Sequence, residues 1–263
     1  MHSVAKRVDK KIRHYLRIPK TVLQYKLNAD NYAARYIFHH IPKCGGTSAV
    51  DALTNWFVVL KDYPKGWCAE DNPLLYQRFC DRPKNLDQIE PYQLLVGHYH
   101  FPGSFLDQRY PCWQSQGYRL FTFLRDPLEL QLSLYYFDIR NRRISANTSI
   151  EKRLLLRQNF IASMMRCDES NYLSVLHRYS FIGIMERYQE SFEQLSQLMN
   201  KPPVTLKNYN QTPRQQYRLA DTFIAEFKAK NQLDYQIYNH SKNRLERDLH
   251  SARKSTSPQI LNR

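Results

Sequence analysis

The feature that most constrains the fold is a short apolar run that leads into a turn with two glycines. Residues 36–41 (YIFHHI) are mostly β-branched or aromatic, which predicts a strand, and Gly45 and Gly46 mark a tight turn soon after it. Residues 47–60 have apolar side chains at helical spacing. A strand, a glycine turn and a helix in this order direct backbone N–H groups and a helix N-terminus toward an anion, so the unit predicts a phosphate-binding loop.

The alternation of strand and helix recurs along the chain. We predict further buried strands at residues 94–97, 120–124 and 180–184, the last leading into a helix that reaches Met199. The second of these strands precedes a helix with Asp126 as N-cap, Pro127 at its first position and Glu129 completing a capping box. This order predicts an α/β fold with a central parallel sheet flanked by helices.

Residues 214–249 are predicted to be helical, with core positions at Phe223, Phe227, Leu233 and Tyr238. With 263 residues and no linker or repeat, the chain is expected to form one main domain over residues 31–250. Residues 1–30 read as a basic helical extension, with its helix near 5–17, and residues 251–263 as a flexible tail.

The net charge of +15 predicts a surface that attracts anions such as nucleotides or acidic sugars. The five cysteines form no C-x-x-C pair, which argues against a structural zinc site. Cys68 and Cys80 could pair in an oxidising compartment, but reduced thiols are the simpler interpretation. Because no stretch of about 18 apolar residues occurs and the N-terminus is basic, we expect a soluble, cytoplasmic protein without a membrane span.

The turn itself contains the parts of an anhydride-binding site. Gly45 and Gly46 let the backbone curl around a phosphate, and Lys43 can reach the oxygen where negative charge develops. The loop is not a Walker A sequence, because its lysine precedes the glycines. A plain glycine turn with an exposed lysine is the alternative. The candidate donor-binding residues here are Lys43, Cys44, Gly45, Gly46, Thr47 and Ser48.

A second candidate site begins at the end of the strand over residues 120–124. Arg125 can form a bidentate pair with a phosphate there, and Ser133, two helical turns further on, can donate to the same phosphate. The alternative is that Arg125 pairs with a carboxylate of the protein.

Histidines supply candidates for a general base. His98 and His100 follow a predicted strand and are spaced to point the same way, so both could face one cleft. A structural role for His100 is equally open, and a metal pair lacks a third ligand at suitable spacing. His39 and His40 precede the loop, and strand alternation sends their side chains to opposite faces, mainly in structural roles.

Together these stretches resemble the sulfotransferase family, in particular the heparan and uronyl 2-O-sulfotransferases and related carbohydrate sulfotransferases. Pro42, Lys43, Gly45, Thr47 and Ser48 match the family's P-K-x-G-x-[ST]-[ST] loop. The family's R-D-P-x-x-R-x-x-S-x-Y segment is matched by Arg125, Asp126, Pro127, Ser133 and Tyr135, with Leu130 in place of the second arginine. Residues 181–187 resemble its G-x-x-E-R segment, so the similarity spans roughly residues 35–245.

The resemblance implies a P-loop-NTPase-like sulfotransferase fold and 3′-phosphoadenosine 5′-phosphosulfate (PAPS) as the donor, without a metal. It implies that the loop holds the 5′-phosphosulfate, that Arg125 and Ser133 hold the 3′-phosphate, and that His98 is the base that deprotonates the acceptor. His100 is a further catalytic candidate beside Lys43. The expected acceptor is a hydroxyl of a carbohydrate, favoured as an anionic oligosaccharide because the cleft is expected to be basic and aromatic, and a lipid or small-molecule hydroxyl is the alternative. The basic N-terminal helix could pack on a neighbouring subunit of a homo-oligomer.

Two other function classes are compatible with a strand, a glycine turn and a basic cleft. A P-loop-type kinase or NTPase of a small metabolite would bind ATP with Mg²⁺, although the chain lacks a G-K-[ST] sequence. A non-enzymatic module would bind a polyanion, such as a glycan or nucleic acid, with steep salt dependence. We expect the enzyme, with no nucleic-acid partner.

Overall fold

The computed structural model describes residues 20–25, 27, 34–64, 72–206 and 219–256. Within these described residues, five parallel strands form one sheet in the order β2-β3-β1-β4-β5. The strands are β1 (Arg35–His39), β2 (Val58–Asp62), β3 (Gln93–Gly97), β4 (Tyr118–Leu124) and β5 (Tyr179–Ile184). The predicted α/β class with a parallel sheet is therefore confirmed, as are the strands predicted from residues 36, 94, 120 and 180.

Helices connect the strands and cover the sheet. Before β5 they are α1 (Gly46–Leu53), α2 (Pro73–Cys80), α3 (Leu106–Arg109), α4 (Pro127–Arg140), α5 (Ile150–Leu154), α6 (Phe160–Met165) and α7 (Tyr172–His177). After it come α8 (Tyr188–Leu198), α9 (Asp221–Lys230) and α10 (Gln232–Thr256). In the described part of the chain, no helix has both the length and the apolarity that crossing a bilayer requires.

The two faces of the sheet are packed by different helices. On one face Phe38 stacks on Phe121 and meets Phe123 edge to face, and Phe192 of α8 lies 5.2 Å from the Phe123 ring. On the other face, His39 and Leu120 border a cavity that Met165 of α6 also lines. Alternate side chains of the parallel strands are thus buried on both sides, which explains their continuous apolar sequences.

The predicted helix over residues 47–60 is too long. Helix α1 ends at Leu53, where the Thr54 hydroxyl and the Asn55 amide donate to backbone carbonyls of the last turn. Val58 and the residues after it form β2 instead, at an edge of the sheet. The β-branched Val58–Val59 pair favours a strand, and pairing with β3 outweighs the helical spacing.

Only the Asp126 half of the predicted capping box of helix α4 is present. The Asp126 carboxylate accepts hydrogen bonds from the backbone N–H groups of Leu128 and Glu129. The backbone N–H of Asp126, however, donates to Glu186 at 3.0 Å, while Glu129 turns to Arg125. The prediction that Glu129 accepts a hydrogen bond from the Asp126 N–H is wrong, because the Glu186 carboxylate, which follows β5, accepts that bond instead.

Of the predicted C-terminal helical region over residues 214–249, residues 214–218 lie outside the described residues, and the rest forms the two helices α9 and α10 from Asp221 onward. The four predicted core residues are buried. Helix α10 continues to Thr256. The predicted helix near residues 5–17 and the proposed partner Cys68 lie outside the described residues. The domain boundaries at residues 30 and 250 stay predictions.

Candidate active site

The glycine loop lies at the centre of the sheet's carboxyl edge, where β1 gives way to α1. Lys43 and Gly45 adopt left-handed backbone conformations with φ of 64° and 74°, which turn the chain back over the strand end. The N-cap residue Gly45 has no side chain to cap α1, so the first N–H groups of the helix, from Gly46 onward, point out of the turn. The positive end of the helix dipole adds to these donors, and the loop can therefore bind an anion.

Close packing explains both glycines. A Cβ at Gly45 would lie 2.3 Å from the sulfur of Met185. The Gly45 carbonyl accepts a hydrogen bond from the Tyr188 hydroxyl. A Cβ at Gly46 would lie 1.7 Å from Nε2 of His40. The loop is thus held between a segment following β5 on one side and the His40 ring on the other.

Cys44 anchors the loop from below. Its side chain is 1% exposed, and its sulfur lies against the backbone N–H of Arg125. Burial raises the pKa of the Cys44 thiol far above its usual value, so the group stays protonated. The Cys44 amide itself donates to the Ile41 carbonyl at 3.4 Å. The outward-facing amides of the loop are therefore those of the residues after Cys44.

Lys43 projects toward the aromatic ring of Phe137 on α4. Its Nζ lies 4.5 Å from the ring centroid, and Arg140 lies 5.8 Å from the same centroid. Burial, followed by the positive charges of Arg140 and Arg125, lowers the pKa of Lys43. Within the described residues neither Lys43 nor Arg140 has a carboxylate partner, so together they form a site where an anion is favoured.

Arg125 directly follows β4, beside the loop. One of its Nη atoms donates to Glu129 at 3.2 Å, so a carboxylate pair, the alternative predicted from the sequence, is present. This is the guanidinium's one side-chain hydrogen bond in the described part of the protein, and the remaining donors can still reach a ligand. The side chain of Ser133, part-exposed on α4 two turns further on, makes no hydrogen bond to the described residues.

His98 follows β3 and lies on the loop side of the sheet. Its Nδ1 is 2.7 Å from the backbone carbonyl of His40, and since a carbonyl only accepts, Nδ1 carries the proton. The lone pair is then on Nε2. Burial lowers the pKa of His98 to about 4, so the ring is neutral at pH 7 and its Nε2 is unprotonated, while the ring is a weaker base than a solvated histidine.

His100 lies deeper than His98. Its ring is 7% exposed and packs beside His39 and Phe101, at centroid distances of 6.2 and 4.4 Å. The His98 and His100 rings are 5.3 Å apart and nearly perpendicular. Of the two, His98 is the one that contacts the His40 ring and, through it, the loop.

His39 and His40 separate as strand alternation predicts. His39 is buried and its Nδ1 lies 2.8 Å from the Tyr179 hydroxyl, on the face opposite α1. His40 packs on Gly46 and hydrogen-bonds through Nδ1 to Tyr63, at 3.0 Å. Sequence reasoning gave His40 no role at the site and missed Tyr63, because Tyr63 follows the edge strand that was read as helix.

Acidic residues at the strand ends are already engaged. Asp62 forms a buried ion pair with Arg109 at 2.8 Å and accepts a bond from Tyr110. Asp126 caps α4, and Glu186 accepts from Asp126 and from Tyr238. Among the residues that the structure describes, no group of three or more His, Cys, Asp or Glu side chains is arranged to hold a metal ion.

A cavity of about 310 Å³ opens beside the loop. It is bordered by Ser48, Asp51 and Asn55 of α1 and the adjoining turn, by Trp56, and by the segment from Pro202 to Thr205. The Trp56 indole donates to the Pro202 carbonyl at 2.9 Å, which ties this segment to the end of α1. The cavity is thus continuous with the start of α1 through Ser48.

Comparisons with known proteins give little for this chain. No protein-family model and no curated protein matches it. One solved structure to which it is similar is described as "Crystal Structure of Sulfotransferase from Alicyclobacillus acidocaldarius", with a TM-score of 0.45 and 14% sequence identity. The match covers 82% of this chain and 96% of that one.

Proposed function

We propose that the protein is a sulfotransferase that moves a sulfuryl group from PAPS to a hydroxyl of an anionic carbohydrate. The observation that carries the proposal is that one side chain contacts both the anion-binding loop and the neutral His98 ring. The His40 ring packs on Gly46 and also stacks on His98 at 4.6 Å. We therefore place the attacking hydroxyl between the loop and Nε2 of His98.

In the proposed complex the amides from Gly45 to Ser48 hold the 5′-phosphosulfate at the start of α1. Arg125 and Ser133 hold the 3′-phosphate, and the nucleoside occupies the cavity beside Ser48. The bound anions favour the charged form of Lys43, which offsets the effect of its cationic neighbours on its pKa.

The reaction is an in-line displacement at sulfur. The acceptor oxygen forms a bond to sulfur while its proton moves to Nε2 of His98. The bond between sulfur and the 5′-phosphate oxygen breaks, and its electron pair stays on that oxygen, which Lys43 stabilises. The products are a sulfate ester and adenosine 3′,5′-bisphosphate.

The strand-end carboxylates favour sulfuryl transfer over the phosphoryl transfer of a P-loop kinase. Such a kinase holds Mg²⁺ through an acidic residue at a strand end. Asp62 and Asp126 each have structural partners at the corresponding positions of this sheet. Fixed cations can neutralise the leaving oxygen instead, and we assign this role to Lys43, whose Nζ lies over the Phe137 ring near Arg140.

Donor binding is tested by thermal unfolding with adenosine 3′,5′-bisphosphate, compared with ATP plus Mg²⁺. We expect the bisphosphate to raise Tm, and Arg125→Ala to weaken its Kd about 10- to 100-fold, since charge-assisted hydrogen bonds are lost. Arg82→Ala, which removes an exposed guanidinium outside the site, is the matched control. Stabilisation by ATP with Mg²⁺ but not by the bisphosphate would contradict the proposal.

Transfer is tested with ³⁵S-labelled PAPS and a panel of oligosaccharides with and without uronic acids. Folded Lys43→Ala and His98→Ala variants should lose at least about 100-fold in kcat. Arg140→Ala should raise KM for uronic-acid acceptors and leave KM for neutral acceptors unchanged, because Arg140 lies over the same Phe137 ring as Lys43 and adds a positive charge there. Equal KM changes for both acceptor types would remove Arg140 from acceptor recognition.

A further inference from the structure

The main chain of His40 connects two neighbouring strand ends. Its N–H donates to the Gly97 carbonyl at 2.9 Å, and its carbonyl accepts from His98 Nδ1 at 2.7 Å. The parallel register that pairs His39 with Gly97 brings these groups together. The backbone of His40 thereby selects the tautomer of His98.

The side chain of His40 makes a second set of contacts around the same centre. Its ring stacks on His98 with planes 29° apart, and its Nε2 side rests on Gly46. The Tyr63 hydroxyl is 3.0 Å from its Nδ1, and the Tyr63 ring lies 4.6 Å from the His98 ring. The His98 ring thus contacts the rings of His40 and Tyr63, which are hydrogen-bonded to each other.

We propose that His40, anchored by Tyr63, is a positioning residue that aligns the base His98 with the donor loop. Because one ring touches both the loop at Gly46 and the base, the distance between Nε2 of His98 and the donor sulfur is set by His40. The catalytic consequence rests on the proposed sulfuryl transfer, whereas the alignment of His98 is a property of the fold and can be measured without activity.

The charged and titratable groups around His40 favour a neutral ring. Burial, and then the positive charges possible on His98, His39 and Lys43, hold its pKa well below the usual value. Burial raises the pKa of Tyr63, so this neighbour is also uncharged. A neutral His40 can stack on His98 without repelling the proton that His98 takes up.

The first test is NMR of the His98 ring in the full-length protein without ligand. We expect wild-type His98 to be the Nδ1–H tautomer and to titrate near pH 4. His40→Ala should move the titration toward pH 6.5 because the ring becomes hydrated, and Tyr63→Phe should move it in the same direction by less. His177→Ala, at an exposed histidine, is the control and should leave His98 unchanged.

The second test is steady-state kinetics of the same variants. Tyr63→Phe removes only a hydroxyl, so we expect kcat to fall about fivefold while the Kd of adenosine 3′,5′-bisphosphate changes less than twofold. His40→Ala should lower kcat about 10- to 100-fold, and adding Tyr63→Phe should cost little more, since the hydroxyl acts through His40.

An unchanged His98 titration in both variants would overturn the positioning role, whatever happens to the activity. Additive losses of kcat in the double variant would also overturn it, because the hydroxyl would then act independently. If the NMR changes occur but the wild-type protein transfers no sulfuryl group, the alignment stands and the proposed function fails.

Discussion

Acidification should destabilise this protein strongly, because four histidines are held neutral around the carboxyl edge of the sheet. Burial lowers the pKa of His39 to about 3 and of His98 to about 4, and lowers those of His40 and His100 as well. Below pH 6.5 the unfolded chain binds protons at these positions and the folded protein does not. The stability that comes from keeping these histidines neutral is therefore fully present above pH 6.5, and it is lost as the pH falls toward their pKa values in the folded protein.

The magnitude follows from proton linkage. Between pH 7 and pH 5.5 each such histidine costs about 1.3 kcal/mol, so the four together cost about 5 kcal/mol. Asp234 works in the opposite sense, since burial raises its pKa to about 6 and the folded state takes up its proton first. Asp234 therefore raises the free energy of unfolding by about 0.8 kcal/mol over the same pH range, which leaves a net loss of about 4 kcal/mol. Such a loss is a large part of a typical domain's stability.

Urea unfolding followed by circular dichroism at several pH values between 5.5 and 7 measures this loss. His100→Asn should reduce it by about 1.3 kcal/mol, because one buried proton-binding site is gone. His177→Asn, at an exposed position, should leave it unchanged. A free energy of unfolding that is flat over this range, or equal slopes for His100→Asn and wild type, would refute the reasoning.

Two further predictions concern the loop and the base. Gly46→Ala should abolish the rise in Tm that adenosine 3′,5′-bisphosphate causes, because the new Cβ clashes with the His40 ring. Adding His40→Ala removes the clash and should restore that rise. If the double variant does not bind the bisphosphate, the clash is not the cause. In sulfuryl transfer, kcat/KM should stay level from pH 7 to pH 5.5 in folded protein and fall only toward pH 4, where His98 takes up a proton. An acid limb centred near pH 6.5 would argue against His98 as the buried base.

The strands were predictable from the sequence because both of their faces are buried. Residues 120–124 and 180–184 are mostly apolar runs, as is typical of parallel strands buried on both faces. The edge strand β2 was not predictable in the same way. Leu53, Phe57 and Leu60 keep a helical spacing across the end of α1 and into β2, and spacing alone does not separate one long helix from a helix followed by a strand.

The candidate site was predictable only as far as local sequence determines it. The glycine turn and Arg125 are each defined by the strand they follow, so their meeting at the carboxyl edge follows from parallel topology. The contacts of His40 with Tyr63 and His98 join residues 23 and 58 positions apart, and they depend on register and on an unrecognised strand. No local pattern specifies such contacts, yet they determine the tautomer and the hydration of His98. His98 can therefore be proposed as the base from the sequence, whereas the groups that fix its tautomer emerge only from the packed structure.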